Sequence, residues 1–259
     1  MRAGARVVVE RGRDGRSAVR ELRSQPPLAL LPQRGVAAAR SPVATVHVVG
    51  SASSPLGGDE VSLDVEVGPG AELVLTGVAA TLALPGQAGG PSRTTIRLRV
   101  ADGAGLQYLP EPTVVTTRAD HHAELHAELG AGSRLRCREV LVAGRGGEPS
   151  GQYRGLVRVQ DGSRPLLVQQ QELGDPRLQR SAAHLAGRRV LAGEVLVWGD
   201  DPPTAVAGDW WSLVPLAGRG SLATAVGSDA IAAQRALADA VAAHPGWSEA
   251  VLGSQAVVR

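Results

Sequence analysis

Strict alternation of apolar and polar residues, broken at regular intervals by glycine turns, constrains this chain more than any other feature. Val61, Leu63, Val65 and Val67 alternate with Ser62, Asp64 and Glu66, and Ile96, Leu98 and Val100 alternate with Arg97 and Arg99. Successive side chains of an extended chain point to opposite faces, so a period of two marks half-buried strands. A third segment sets Ala123, Leu125, Ala127 and Leu129 against Glu124, His126 and Glu128, and further β-rich runs lie at 43–49, 135–142, 153–160 and 188–198. The three alternating segments run into comparable turns, at residues 67–73, 100–106 and 129–135, whose glycines Gly70, Gly103 and Gly132 fall about 30 residues apart. Strand, glycine turn, strand at that period suggests stacked β-layers or a short β-solenoid. The plainer alternative is that Gly-Ala turns recur by chance in a chain with 33 glycines.

Helix is scarce. One helix is predicted from a cap at Ser228, with Ala230, Ala233, Leu237, Ala240 and Val241 along one face, ending before Pro245-Gly246 and packing on a sheet. Gly-rich and Pro-rich segments at 84–93 and 144–152 read as surface loops. The first 40 or so residues mix a strand at Val7-Val8-Val9 with Arg-rich and Pro-rich sequence, and the last ten or so have no period. Both ends are expected to be loosely held. No linker divides the chain, so residues 1–259 read as one all-β domain with one or two helices in the C-terminal half.

The composition, 43% hydrophobic and 20% charged with a formal net charge of +2, is that of a soluble globular protein. All 27 basic residues are arginine, which keeps its proton below pH 12 and so lifts the isoelectric point without making the chain a nucleic-acid binder. Aromatic side chains for base stacking are also few. With Cys137 alone there is no intramolecular disulfide framework, and no apolar run approaches the roughly 20 residues of a membrane span. A cytoplasmic location, away from membranes, is expected.

A phosphate loop needs a lysine and the chain has none; no Gly-x-Gly-x-x-Gly follows a strand and opens a helix; no Gly-x-Ser-x-Gly elbow occurs. These absences argue against nucleotide hydrolysis, dinucleotide binding and serine hydrolysis. Cys137 alternates with Leu135 and Leu141, as a small buried hydrophobe would. His121, His122 and His126 invite a metal reading, because His122, Glu124, His126 and Glu128 share one face of a strand and offer imidazole and carboxylate to a cation such as nickel. An ordinary solvated face is the simpler account, since ligands two apart on a flat strand seldom converge on one ion. Glu139 is more telling, for the alternation of residues 134–141 places it on the side of Leu135, Cys137 and Leu141. A carboxylate pointing inward must be paired, hydrated or exposed to a water-filled passage, and a structural ion pair is the usual solution.

Residues 57–71, a Gly-Gly-Asp turn followed by an alternating strand and Val67-Gly68-Pro69-Gly70-Ala71, occur with Leu75-Thr76, Ala79-Ala80-Thr81, Leu109-Pro110-Glu111-Pro112 and Gly144-Arg145 in this order and spacing. The set resembles the urease accessory protein UreD family, called UreH in some operons, from about Gly57 to Leu173. That resemblance implies a stacked, helix-like β-architecture and a nickel-insertion chaperone, not an enzyme. It implies apo-urease and the accessory protein UreF as partners, the GTPase UreG reached through UreF, and nickel in transit with no permanently bound cofactor. Glu139 matches by type an acidic position that the family implicates in an internal nickel route. Asp59, Glu111 and Glu139 are therefore expected to line or organise such a route, with His122 and His126 as weaker contacts. The chain departs from the family at Leu82-Ala83-Leu84-Pro85, where a Lys-aromatic-Arg run is usual, at Gln107, and at Gln169, where Glu is common; Glu111 or Glu172 then become substitutes. The alternative is an all-β protein-binding module with no metal role, anchored by Trp210-Trp211 and the adjacent Leu213–Leu216.

Overall fold

The computed structural model describes residues 1–87 and 89–247. β1 (Arg2–Arg11) and β2 (Ser17–Arg23) form an antiparallel pair, and β3 (Leu28–Pro32), a short helix α1 (Val36–Arg40) and β4 (Ala44–Gly50) make a second. Three similar circuits follow. In the first, β5 (Glu60–Val67) turns into β6 (Glu72–Gly77), with the short β7 (Thr81–Ala83) after it. In the second, β8 (Ser92–Val100) turns into β9 (Gly105–Leu109), followed by β10 (Thr113–Val115). In the third, β11 (Asp120–Leu129) turns into β12 (Arg134–Ala143). β13 (Gln152–Asp161) and β14 (Arg164–Leu173) are an antiparallel hairpin. Beyond α2 (Pro176–Arg180) come β15 (Val190–Val197), β16 (Val206–Gly208), β17 (Trp211–Pro215), β18 (Ser221–Gly227) and α3 (Ala230–Ala242).

Each circuit begins in one sheet and ends in the other. The first sheet has the order β14-β13-β11-β8-β5-β1-β2, and the second β16-β17-β18-β15-β12-β9-β6-β4-β3, with β7 and β10 paired at its side. β5, β8, β11 and β13 run parallel, so that Asp64, Arg97, His126 and Arg158 lie in one row across the first sheet. In the second sheet Leu73, Leu106 and Leu135 form the corresponding row and are at most 1% exposed. This is the stacked, solenoid-like β-architecture that the 30-residue spacing suggests. The turns stack as well: Gly70 N donates to Asp102 O at 3.0 Å and Gly103 N to Ala131 O at 2.9 Å. Gly70, Gly103 and Gly132 have φ of 63°, 63° and 62°, in the left-handed region where a Cβ is strained, which is why glycine recurs there.

The alternating apolar faces of both sheets meet in one core that includes Val7, Val65, Leu98, Leu106 and Leu135. α3 covers the outer face of the second sheet, burying Ala233, Leu237, Ala240 and Val241 against Val140, Ala192, Leu213 and Ala225. Two sequence expectations need correction. The helix is capped by Asp229, whose side chain accepts from Ala232 N at 2.9 Å, while Ser228 hydrogen-bonds to that carboxylate. The first 40 residues are not loosely held: β1 lies between β5 and β2, and Val7 and Val9 are fully buried. Its inward positions are Ala3, Ala5, Val7 and Val9, too small at the start to stand out as a period among arginines. The expectation for the last ten residues falls outside the described residues.

Candidate functional site

A cavity of about 190 Å³ lies between the sheets and crosses the strands. Its lining extends from Leu28, Val48 and Pro55 on the side of β3 and β4 to Gln171 of β14 and Leu222 of β18 on the other side. The wall is mainly apolar, and Tyr108, Glu111, His121, Glu139, Tyr153 and Gln171 supply polar groups. A space of this size admits several waters, each of which needs such partners.

Glu139 enters the cavity because β12 alternates: Leu135, Cys137 and Glu139 share the inward phase. Its register partner on β15 is Gly193, which contributes no side chain. A Cβ at Gly193 would meet nothing nearer than Gln171 Nε2 at 3.8 Å, so the space beside Glu139 stays open. From the first sheet, the Tyr153 hydroxyl donates to Glu139 Oε1 at 2.6 Å, while Glu139 Oε2 and Gln171 Oε1 are buried with no hydrogen-bond partner among the described residues. Burial raises the pKa of Glu139, and the Tyr153 hydrogen bond opposes the rise by favouring the charged form. Burial beside Glu139 lifts the Tyr153 hydroxyl well above its usual range, so the phenol stays neutral. Cys137, also in the cavity wall, is 5% exposed and its thiol is pushed up by burial, which keeps it protonated, the inert buried residue that the sequence suggests.

Glu111 is half-buried in the segment between β9 and β10 and lines the cavity. The chain passes it closely at Gly77, where a Cβ would come within 2.6 Å of Glu111 N. Asp59 is not part of the lining. It is 5% exposed and saturated: Oδ1 accepts from the Met1 amino group at 3.0 Å, and Oδ2 from Ser54 Oγ at 3.0 Å and Leu56 N at 2.9 Å. Burial alone would raise its pKa, but these donors outweigh it and hold the carboxyl below its usual range. Since Ser54 and Pro55 do line the cavity, Asp59 supports one wall from behind.

His122 and His126 lie on the outer face of the first sheet, away from Glu139. His126 Nε2 is 3.2 Å from Glu124 Oε2, and His122 Nε2 is 3.3 Å from Asp120 Oδ1 without hydrogen-bond geometry. Among the described residues no three His, Cys, Asp or Glu side chains converge as a metal cluster. Glu172 faces outward, paired with Gln170, whereas Gln169 and Gln171 line the cavity. His121 has the opposite phase to its neighbour: it is 3% exposed, its Nδ1 lies 2.9 Å from Ser92 Oγ, and its ring centroid is 5.9 Å from that of Tyr153. Burial, with a contribution from His122, lowers its pKa to about 4, so it is a neutral imidazole in the cavity wall. Tyr153, Gly193 and Gln171 escaped the sequence reading. Tyr153 does occupy the inward phase of its strand, but its partner across the sandwich is fixed only by sheet packing.

The family model described as UreD urease accessory protein matches residues 1–259. Among curated relatives, Urease accessory protein UreD 1 of Saccharopolyspora erythraea is 55% identical over 95% of this chain and 96% of its own length. Urease accessory protein UreD of a Parafrankia species is 41% identical over 92% of this chain and 86% of its own, and that of Frankia alni is 40% identical over 92% and 91%. Matches of this extent and identity leave no part of the two-sheet stack outside the comparison, and the chain belongs to the UreD family of urease accessory proteins.

Proposed function

We propose that this protein is a nickel-insertion chaperone for the urease metallocentre, and that nickel passes through the cavity between its two sheets. In this reading it docks on apo-urease and on UreF, receives nickel from UreG through UreF, and works in the cytoplasm without chemistry of its own. The observation that carries the reading is Glu139: a carboxylate set into a mainly apolar cavity, with one oxygen unpaired among the described residues, in a chain of the UreD family. A buried carboxylate oxygen with no protein partner among the described residues is costly, and it suits a hard or borderline divalent cation in transit. Glu111 is the second candidate contact along the wall. Asp59 acts on the route indirectly through Ser54 and Leu56, and His122 and His126 are at most surface contacts at its outside.

A second reading, a binding module without a metal role, is favoured by exposed apolar side chains on and around the β16–β17 hairpin, Trp210 at 49% and Val206 and Val214 at 39% and 42%. Nickel analysis separates the two. Urease co-expressed with its accessory genes should lose nickel when this chain is replaced by its Glu139→Ala/Glu111→Ala variant while complex formation persists. Unchanged nickel content with that variant would favour the binding module.

A further inference from the structure

Glu139 sits on β12 of one sheet and Tyr153 on β13 of the other, so their 2.6 Å hydrogen bond joins the cavity's two walls. The tyrosine ring can reach across only because of Gly155. Residues two apart on a strand share a face, and the ring lies back over Gly155, where a Cβ would stand 2.7 Å from Tyr153 Cε1 and 2.8 Å from its hydroxyl oxygen. Gly155 has no left-handed φ to demand glycine, so space for the ring is what its missing side chain provides. Gly193, the register partner of Glu139 on β15, adds no side chain to the cavity wall beside it. Two glycines on different sheets thus flank the pair, one by giving the tyrosine ring its space and the other by leaving the strand position next to Glu139 bare.

We propose that Tyr153 is a positioning residue for cation passage: it clamps Glu139 Oε1 across the sandwich so that Oε2 alone is offered to a divalent cation. The inference rests on the passage reading above and deepens it. A carboxylate that is free to turn can hold a cation with both oxygens, whereas one with an oxygen engaged by a hydroxyl binds through a single point. Conduction requires binding strong enough to admit the ion and weak enough to release it. The hydroxyl also favours the charged carboxylate inside a cavity whose burial disfavours it, so the ligand is ready when the cation arrives.

The test is the rate of nickel loading of urease in the assembled accessory complex, followed by bound nickel after addition of Ni²⁺ from about pH 5.5 to 8. Tyr153→Phe keeps the ring and removes the hydroxyl, and Gly155→Ala keeps the hydroxyl and displaces the ring. Each is expected to lower loading several-fold and to move the acid limb of the pH profile upward, because Glu139 then holds its proton to higher pH. Glu139→Gln is expected to lose both the loading and the acid limb. If Glu139→Gln is impaired while Tyr153→Phe and Gly155→Ala load with the wild-type rate and limb, the clamp is overturned and the passage stands. If Glu139→Gln loads like wild type, the passage fails and the clamp with it. Lower loading matched by an equal loss of assembled complex, with the limb unmoved, would also overturn the clamp.

Discussion

Glu139 carries its carboxylate where burial disfavours charge, and that gives its role a thermodynamic signature. A carboxyl whose folded pKa is raised binds protons more readily folded than unfolded, so its cost to stability is absent below the ordinary carboxylate pKa and complete above the folded one. Glu139→Gln removes that cost and keeps an oxygen for the Tyr153 hydroxyl. Its midpoint in denaturant should exceed wild type at pH 7 to 8, with the gain vanishing at acid pH, while nickel loading falls. A stabilised variant that loses function is the mark of a functional site, and a destabilised one would indicate a structural ion pair or hydrogen bond instead. Asp59 should behave in the opposite way. Its folded pKa is depressed, so its stabilisation is present above the unfolded value near 3.8 and is lost as pH falls through the folded value. Asp59→Asn should cost about 1–3 kcal/mol at pH 7, for the loss of a charged acceptor, with the difference closing below about pH 4. The inward phase of Glu139 was legible in the sequence because period two fixes the face of a strand. The partners of Asp59 were not, since the Met1 amino group lies 58 residues away and pairs with it only once β1 has docked beside β5.

At the scale of elements, the stacked turns and the covering helix divide the labour. Gly103 has φ of 63°, and among the described residues no atom lies within 4 Å of a would-be Cβ, so Gly103→Ala meets backbone strain. It should cost about 1–2 kcal/mol, read as a lowered thermal midpoint, and an unchanged midpoint would contradict the left-handed turn. Leu237 is 2% exposed beneath α3, and Leu237→Ala should cost about 2–5 kcal/mol and speed hydrogen exchange in α3 before the parallel strands. The β5, β8 and β11 strands and their turns were legible because large aliphatics alternate with charges there. β1 and β18 were harder, since their buried residues include Ala3 and Ala5 in one and, under α3, Ala223 and Ala225 in the other, whose weak apolar contrast blurs the period. The helix cap slipped by one residue because Ser228 and Asp229 are both good caps, and only the hydrogen bond to Ala232 N decides between them.

For the whole molecule, the all-β class follows from the alternating segments, and of the two readings of the 30-residue glycine spacing the two-sheet order decides for stacked circuits. The course of the cavity does not, because it depends on how far two sheets stand apart and on which side chains are missing at Gly193 and Gly155. The outward His122 and His126 illustrate the difference: one-strand spacing put them with Glu124 and Glu128, and the sandwich put the inward Glu139 elsewhere. Gly193→Val should therefore be informative. A β-branched side chain suits a strand, nothing lies within 3.8 Å of the position's Cβ, and the added methyls would fill the space beside Glu139. Stability should change little and nickel loading should fall. The measurement that bears most directly on the account is nickel per urease active site when urease is expressed with all its accessory genes and either the wild-type chain or Gly193→Val. The account predicts intact accessory complex with urease left largely nickel-free. Full nickel occupancy with the filled cavity would contradict passage through this protein.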